Sequence, residues 1–237
     1  MTRPVHVVQL YARDMNVYGD WGNVLTLARR LEWRGHPVEV TQYNPGDPFP
    51  DDADILVGGG GQDAGQERIQ ADLFALRPRL ADLVEAGTPM LMICGMYQLF
   101  GRFFRTAEGR VIEGVGLLDI ETHAGPHRLI GNVAVHHDDL GEIVGYENHS
   151  GQTYLGDGAR PFARVVRGAG NNGEDGTEGA VRENVIGTYL HGPLLPKNPA
   201  VADLLIERAV HRELEPLTSA VDQVAALAQQ VAVRRPR

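Results

Sequence analysis

The first hundred residues alternate between short apolar runs and amphipathic segments, and this order restricts the fold more than any other feature. The apolar runs lack in–out alternation, which is typical of strands buried on both faces of a parallel sheet. These predicted strands are residues 5–10, 37–41, 54–57 and 89–93. Helical spacing of apolar residues predicts helices at 23–34, 66–86 (with a kink at Pro78) and 95–104. The pattern predicts an α/β fold with a mostly parallel twisted sheet flanked by helices.

Shorter strands are predicted after Gly109, followed by two further helices. The strands are residues 116–122, 128–135, 143–148, 162–167 and 185–189, and the helices are 198–212 and 218–233. Residues 168–179 (GAGNNGEDGTEG) are predicted to form an exposed, mobile loop. No repeat or long linker divides the chain. We therefore expect a single domain over 1–237, with a core at about 4–212 and a C-terminal helical extension at about 213–237.

Charge and cysteine content exclude several classes of function. The formal net charge of −9 argues against a general surface for nucleic acid or anionic lipid. A single cysteine excludes an internal disulfide and zinc sites built from several thiolates. No apolar run reaches the roughly 18 residues of a membrane span, and the N-terminus lacks the apolar region of a signal peptide. The expected location is cytoplasmic.

Cys94 is the strongest candidate for a reactive group. It follows the predicted strand 89–93 and precedes Gly95 at the start of a predicted helix. A nucleophile at such a strand-to-helix turn projects from the edge of the sheet, and the helix N-terminus favours the thiolate. Gly95 would let a substrate approach the backbone closely. The alternative is a small buried apolar residue, as most free cysteines are.

A run of four glycines, residues 58–61, ends another predicted strand. Free backbone N–H groups in such a run can form a phosphate cradle or an oxyanion hole beside a nucleophile, and a flexible turn is the third alternative. The run lacks the Lys-Ser/Thr ending of a P-loop and the spacing of a dinucleotide-binding motif. The composition alone leaves these three alternatives open.

His191 is the candidate base. It lies at the end of a predicted strand within residues 187–193 (GTYLHGP), where it would point out of the sheet toward a nucleophile. The chain has nine histidines, and the competing candidates are His123, His127, His136, His137 and His149. Adjacent residues on a strand point to opposite faces, so His136 and His137 do not predict a metal site.

Two further features suggest recognition of an amino acid. Residues 145–153 (GYENHSGQT) form a polar segment at a strand end, with a capped turn as the alternative. Arg128 opens a predicted strand, and its planar guanidinium suits a carboxylate; a surface ion pair is the alternative.

Six segments, taken together and in order, resemble the class I glutamine amidotransferases of the cobyric-acid-synthase-like branch. Within that branch they are most similar to the glutaminase subunits of lipid II isoglutaminyl synthases. The segments are 18–23 (YGDWGN), 58–63 (GGGGQD), 93–98 (ICGMYQ), 114–119 (GVGLLD), 145–151 (GYENHSG) and 187–198 (GTYLHGPLLPKN). The first and last favour this group over the corrinoid enzymes.

The resemblance implies a flavodoxin-like architecture and a thioester mechanism. Cys94 would attack the side-chain amide of glutamine, and His191 would transfer the proton to the departing ammonia. Backbone N–H groups of Gly60 or Gly61, and of Gly95, would hold the oxyanion. Glutamine binding is implied for Arg128, Gln98, His149 and Ser150.

Two departures from the family pattern affect this expectation. Met92 and Met96 replace the glycines that usually flank the Cys-Gly pair, and Met96 would alter the turn if it crowds it. Pro193 stands where the wider class has a glutamate that orients the histidine, although this branch commonly lacks it. We hypothesise that a partner subunit supplies this carboxylate.

The resemblance also implies a heterodimer. The chain contains no P-loop and no metal-binding carboxylate cluster, so no cofactor is expected in it, and ATP and Mg²⁺ are expected on a partner. That partner would be a Mur-ligase-like subunit, MurT, which amidates the D-glutamate α-carboxyl of lipid II to D-isoglutamine. The apolar residues of the last two helices would pack on the core or form a docking face; they are Leu204, Leu205, Val221, Val224, Leu227 and Val231.

Three alternative functions remain open from the sequence. They are an amidotransferase component of a corrinoid or other amide synthetase, a cysteine hydrolase or peptidase with the same turn, and a non-catalytic regulatory subunit. The presence of both Cys94 and His191 argues against the last.

Overall fold

A computed structural model describes residues 3–217 and 219–235 of the chain. Six strands form the first sheet, in the spatial order β11-β12-β4-β3-β1-β2. Their bounds are β1 Val5–Leu10, β2 Val38–Tyr43, β3 Ile55–Gly58, β4 Met90–Ile93, β11 Ala180–Arg182 and β12 Val185–Thr188. All neighbours are parallel except β11 and β12. Strands β1, β3, β4 and β12 are buried along their whole length, as their continuous apolar sequence requires.

In the described part of the chain, five α-helices accompany the strands. They are α1 Trp21–Trp33, α2 Asp63–Glu85, α3 Gly95–Phe100, α4 Pro199–Val210 and α5 Ala220–Arg234, with a 3₁₀ turn at Leu195–Lys197. The predicted α/β fold with a mostly parallel sheet and flanking helices is therefore confirmed. Helix α2 continues through Pro78. The predicted start of the last helix at Thr218 lies outside the described residues. In the described residues no helix is both long enough and apolar enough to span a bilayer.

A second, mainly antiparallel sheet was not predicted. It contains β5 Phe103–Arg105, β6 Val111–Glu113, β7 Ile120–His137, β8 Gly141–Leu155, β9 Ala163–Arg167 and β10 Thr177–Glu178. Strand β7 joins two strands that the sequence predicts separately, because an irregularity between Ala124 and Leu129 interrupts the apolar pattern without ending the pairing with β8. The prediction of a helix reaching residue 104 is wrong, since α3 ends at Phe100 and the chain enters β5.

The prediction of an exposed loop at residues 168–179 is also wrong for most of its length. Ala169, Asn171 and Asn172 are buried, and residues 173–176 carry the exposure. The Glu147 carboxylate accepts hydrogen bonds from the N–H groups of Ala169 and Gly170, at 2.9 Å for the shorter contact to each. Internal hydrogen bonds thus satisfy polar groups that the composition assigns to solvent.

Candidate active site

Cys94 lies at a strained turn between β4 and α3. Its φ is 49° and its ψ is −102°, a backbone conformation that is costly for a residue with a side chain. Strand β4 pairs in parallel with β3 on one side and with β12 on the other, aligning Met92 with Gly58 and Ile93 with Thr188. The carboxyl ends of three neighbouring strands therefore bring together the turn, the glycine run and the His191 segment, where open parallel sheets bind their ligands.

Gly60 marks the point at which these segments meet. A Cβ atom at Gly60 would lie 3.1 Å from His191 Cε1, 3.3 Å from Tyr18 Cδ2 and 3.5 Å from Cys94 Cβ. The predicted nucleophile and base thus border the same small space. His191 is 1% exposed, and neither of its ring nitrogens has a hydrogen-bond partner among the described residues.

Met92 and Met96 fit the turn because Gly58 has no side chain. A Cβ at Gly58 would lie 2.8 Å from Met92 Sδ and 2.9 Å from Met96 Cγ. Both methionines are fully buried against this glycine. The departure from the family pattern is therefore accommodated by the neighbouring strand.

Burial keeps both reactive groups neutral. It raises the pKa of the Cys94 thiol to about 12, with a smaller contribution from Asp20; the Gly95 N–H and Arg128 oppose the shift. Burial, with His149 and Lys197, lowers the pKa of His191 to about 3. In this structure the pair is a thiol and a neutral imidazole, so forming the thiolate requires a substrate, a partner or a rearrangement.

A cavity of about 610 Å³ opens in front of Cys94. Its lining includes all four predicted glutamine-binding residues, namely Arg128, Gln98, His149 and Ser150. His191 is not on this lining; it lies behind Tyr18, with ring centroids 4.4 Å apart. Four competing histidines also lie outside it, namely His123, His127, His136 and His137. In the described part of the chain no group of three or more His, Cys, Asp or Glu side chains is placed to hold a metal ion.

Hydrogen bonds fix the floor of this cavity. Gln98 Oε1 accepts from Gln66 Nε2 at 2.8 Å, and Gln98 Nε2 donates to the Tyr189 hydroxyl at 3.2 Å. The His149 ring stacks on Tyr189 with centroids 3.6 Å apart. Arg128 donates to Asn148 Oδ1 at 3.0 Å. The amide of Gln98 is thus held in place before a ligand binds.

The backbone amides of the glycine run differ in availability. Gly60 N–H donates to Asp20 Oδ2 at 2.7 Å, so the expectation that it serves as an oxyanion donor does not agree with this geometry. Gly95 N–H faces the Cys94 sulfur. In the described residues neither Gly61 N–H nor Gly95 N–H donates to a protein oxygen. Of the predicted donors, these two are available for a developing oxyanion.

Sequence reasoning did not single out Tyr18, Asp20, Gln66 or Tyr189. Tyr18 and Asp20 belong to residues 18–23, which were used only as a family marker. An aspartate before a helix normally caps it, yet the Asp20 side chain accepts no capping hydrogen bond from a backbone N–H of α1. Tyr189 belongs to residues 187–193, in which only His191 was assigned a role, and Gln66 carries no local signal because its contacts come from residues distant in sequence.

The chain belongs to the family described as the CobB/CobQ-like glutamine amidotransferase domain, which matches residues 6–199, and it is a glutamine-hydrolysing enzyme. It is 39% identical over 213 residues to the lipid II isoglutaminyl synthase subunit GatD of Staphylococcus aureus (strain N315), covering 88% of this chain and 87% of that one. It is 37% identical over 212 residues to GatD of Streptococcus pneumoniae (strain ATCC BAA-255 / R6), covering 88% and 82%. The cobyric acid synthase of Brucella abortus (strain S19) is 39% identical over 170 residues, but they cover 65% of this chain and 32% of that synthase.

Solved structures confirm the architecture. A glutamine amidotransferase superposes with a TM-score of 0.60 at 15% identity, covering 86% of this chain and 98% of that one. The glutaminase domain of Trypanosoma brucei CTPS superposes with a TM-score of 0.55 at 12% identity, covering 92% and 98%. At these identities the similarity shows the fold alone.

Proposed function

We propose that this chain is the glutaminase subunit of a lipid II isoglutaminyl synthase. The observation that carries the proposal is the convergence of Cys94, His191 and the glycine run on one point, in a chain that matches GatD over most of both lengths. The alignment with the cobyric acid synthase covers much less of both proteins, and this favours the cell-wall function over a corrinoid one.

The geometry supports a thioester mechanism. Cys94 Sγ bonds to the side-chain amide carbon of glutamine while His191 takes the thiol proton, and the N–H groups of Gly61 and Gly95 stabilise the oxyanion. His191 then gives the proton to the leaving nitrogen, so that ammonia departs and a γ-glutamyl thioester remains. Water hydrolyses the thioester, and glutamate and the free thiol are regenerated. Arg128, Gln98, His149 and Ser150 would hold the glutamine.

A second cavity, of about 680 Å³, supports a partner that completes this site. Its lining includes His191, Tyr18, Lys197 and one face of α5. Apolar side chains on that face are exposed, at 65% for Val224 and 62% for Leu227. Arg30 holds α5 in place, since it pairs with Asp203 of α4 and Asp222 of α5.

The partner proposed for this face is the Mur-ligase-like subunit MurT. Its apolar surface would cover α5, and one of its carboxylates would reach a ring nitrogen of His191. Such a contact raises the pKa of the imidazole and orients it, as the glutamate absent at Pro193 does in the wider class. ATP and Mg²⁺ would bind the partner, where ammonia converts the activated D-glutamate α-carboxyl of lipid II to D-isoglutamine. A cytoplasmic location fits this substrate supply.

The test is co-expression with a Mur-ligase-like chain of the same organism, followed by assays with ¹⁵N-amide glutamine. We expect the complex to release labelled ammonia and to incorporate ¹⁵N into lipid II when ATP and Mg²⁺ are present. We also expect the isolated chain to be at least about tenfold slower in ammonia release. Labelling of a corrinoid carboxylate instead of lipid II contradicts the acceptor, and full glutaminase activity of the isolated chain contradicts the carboxylate supplied by the partner.

A further inference from the structure

The Gly60 residue is held at both of its backbone polar groups by the segment that connects β1 and α1. Its N–H donates to Asp20 Oδ2 at 2.7 Å, and its carbonyl oxygen accepts from Val17 N–H at 3.1 Å. Val17 and Asp20 both belong to the segment that connects β1 and α1. Local backbone hydrogen bonds stabilise this segment, for example the bond from Asn23 N–H to the Asp20 carbonyl at 2.9 Å. The glycine run is therefore not a free loop at this point.

This restraint sets the direction of the next amide. In a planar trans peptide the C=O and the N–H point in opposite directions. The carbonyl of Gly60 points to Val17, so the N–H of Gly61 in the same peptide unit points away from it. The Gly61 nitrogen lies 3.0 Å from the position that a Cβ on Gly95 would take, beside the Cys94 turn. Holding the Gly60 carbonyl thus directs the Gly61 N–H away from Val17, at a position next to the residue that follows the nucleophile.

The packing leaves little room for another arrangement. A Cβ at Gly59 would overlap the Met15 carbonyl oxygen and would lie 2.7 Å from Asp20 Oδ2. Asp20 itself is fully buried. The glycine run therefore lies directly on the Asp20 carboxylate, which occupies the space that side chains would need.

The same connection also contacts the His191 segment. Asn23 Oδ1 accepts from Leu195 N–H at 2.9 Å, and a Cβ at Gly22 would overlap Pro193. Asn23 Nδ2 approaches Asp20 Oδ1 at 3.5 Å. Residues 18–23 thus lie between the oxyanion side and the base side of the site and contact both.

We propose that Asp20 is a positioning residue of the amide-hydrolysis reaction: its carboxylate fixes the Gly60 N–H and, together with the Val17 bond to the Gly60 carbonyl, holds the Gly61 N–H as an oxyanion donor. The inference rests on the proposed nucleophilic role of Cys94. Asp20 would thus stabilise the transition state indirectly, by holding the backbone of Gly60 and Gly61, without contacting glutamine.

The electrostatic environment of Asp20 indicates that its carboxylate does not activate the Cys94 thiol. No Lys, Arg or His side chain pairs with Asp20 in the described residues, and burial raises its pKa to about 6. Its charge also raises the pKa of Cys94, which disfavours the thiolate. A buried charge that opposes the nucleophile needs another role, and the bond to Gly60 provides one.

Two substitutions separate the role of the acceptor from the role of the charge. Asp20→Asn keeps an oxygen that can accept from Gly60 N–H, whereas Asp20→Leu removes it. Asp14→Asn is the matched control, because Asp14 lies on the same connection but pairs with the exposed Arg68. Each variant is assayed in the complex with the ligase partner for kcat and KM of glutamine hydrolysis, and for the rate of Cys94 alkylation by iodoacetamide, which needs no oxyanion hole.

We expect Asp20→Leu to lower kcat by about 10- to 100-fold with KM changed less than about threefold, since one misdirected oxyanion donor costs up to 10²–10³ in rate. Alkylation of Cys94 should become faster in the same variant, because the removed charge lowers the thiol pKa. Asp20→Asn should keep kcat within about threefold and show the faster alkylation as well. Asp14→Asn should match the wild-type protein in every readout.

Three results overturn the assignment of Asp20. They are an unchanged kcat in Asp20→Leu, a parallel loss of kcat and alkylation in that variant, and a loss of kcat in Asp20→Asn greater than about tenfold. If Asp20→Leu does not fold, Asp20→Ala is the second truncation, with the same expectations. A Cys94→Ala variant is measured in parallel: glutaminase activity that survives this change contradicts the proposed function, whereas an inactive Cys94→Ala with a normal Asp20→Leu contradicts the role of Asp20 alone.

Discussion

Tyr18 lies against His191 with the two ring centroids 4.4 Å apart and the planes inclined by 47°. Tyr18 lines both the cavity in front of Cys94 and the cavity under α5, whereas His191 lines the second of these. The aromatic pair therefore separates the glutamine side of the site from the side on which we place the partner. This arrangement lets a partner act on the base without entering the substrate cavity.

Replacing Cys94 with alanine should abolish glutamine-dependent amidation and leave amidation from free ammonia. The reason is that only the glutaminase step uses the thiol, while in our proposal the acceptor is activated on the partner. The measurement compares product formation by the complex from glutamine and from ammonium chloride. Survival of the glutamine-dependent reaction would rule out Cys94 as the nucleophile.

Alkylation of Cys94 in the isolated chain should be slow at pH 7 and should rise about tenfold per pH unit up to pH 10. Burial raises the pKa of this thiol to about 12, so the reactive thiolate is a small fraction that grows as protons are removed. The rate is followed by mass spectrometry with iodoacetamide in a pH series. A plateau below pH 9 would show that the thiol is already ionised.

Replacing Gly58 with alanine should destabilise the protein by about 1–3 kcal/mol, because the added methyl group meets the side chains of Met92 and Met96. Chemical denaturation measures the free energy of unfolding. The double variant Gly58→Ala/Met96→Ala is the control, since it removes one of the two clashing partners. Additive losses in that cycle would contradict the predicted contact.

Replacing Leu227 with glutamate should weaken binding of the ligase partner by at least about tenfold without lowering the melting temperature. The leucine is 62% exposed on the apolar face of α5, so the charge meets solvent in the free chain and a desolvated surface in the complex. Val166→Glu is the matched control, because Val166 is 59% exposed on β9 and outside that face. Equal affinity of the two variants for the partner would show that the interface does not include this face of α5.

The free energy of unfolding of the wild-type protein should fall as pH rises from about 4.5 to 8. The Glu178→Gln variant should not show this fall. Burial raises the pKa of Glu178 to about 7, so the folded state binds the proton more tightly than the unfolded state, and stability falls as pH rises through this range. The difference in the free energy of unfolding between the two proteins should change by about 3 kcal/mol over this pH range. Denaturation at several pH values measures this difference, and parallel curves would refute the burial effect.

The sequence predicted β1, β3, β4 and β12 well because these four strands of the first sheet are fully buried and therefore mostly apolar, whereas the short, partly exposed β11 was not predicted. The boundaries of β1 agree at both ends, and those of β3 and β4 agree within one residue. Parts of β7, β8 and β9 were predicted as strands, but their assembly into a second sheet was not, because these strands are partly exposed and irregular. In β7, residues 125–128 interrupt the pairing with β8, which resumes at Leu129.

Sequence motifs were sufficient to predict the candidate site residues, whereas the contacts that support those residues were not predictable from the sequence. Cys94 and His191 stand at ends of strands whose parallel pairing brings them together, and that relationship follows from the order of the elements. The bond from Gly60 to Asp20 joins residues 40 positions apart across a loop packing that no local pattern encodes. The choice between Gly60 and Gly61 as oxyanion donor therefore required the structure.

The backbone angle at Cys94 has a consequence for how such a chain can change over time. A φ of 49° with ψ −102° is a conformation that glycine adopts at little cost and cysteine does not. Glycine at this position would relieve the backbone strain but would also remove a buried side chain, so the protein keeps a strained residue where the proposed reaction needs a sulfur. In a chain of this fold that no longer hydrolyses glutamine, substitution by glycine would relieve the strain without loss of activity. The residue at this turn would then indicate whether the chain still uses a sulfur nucleophile.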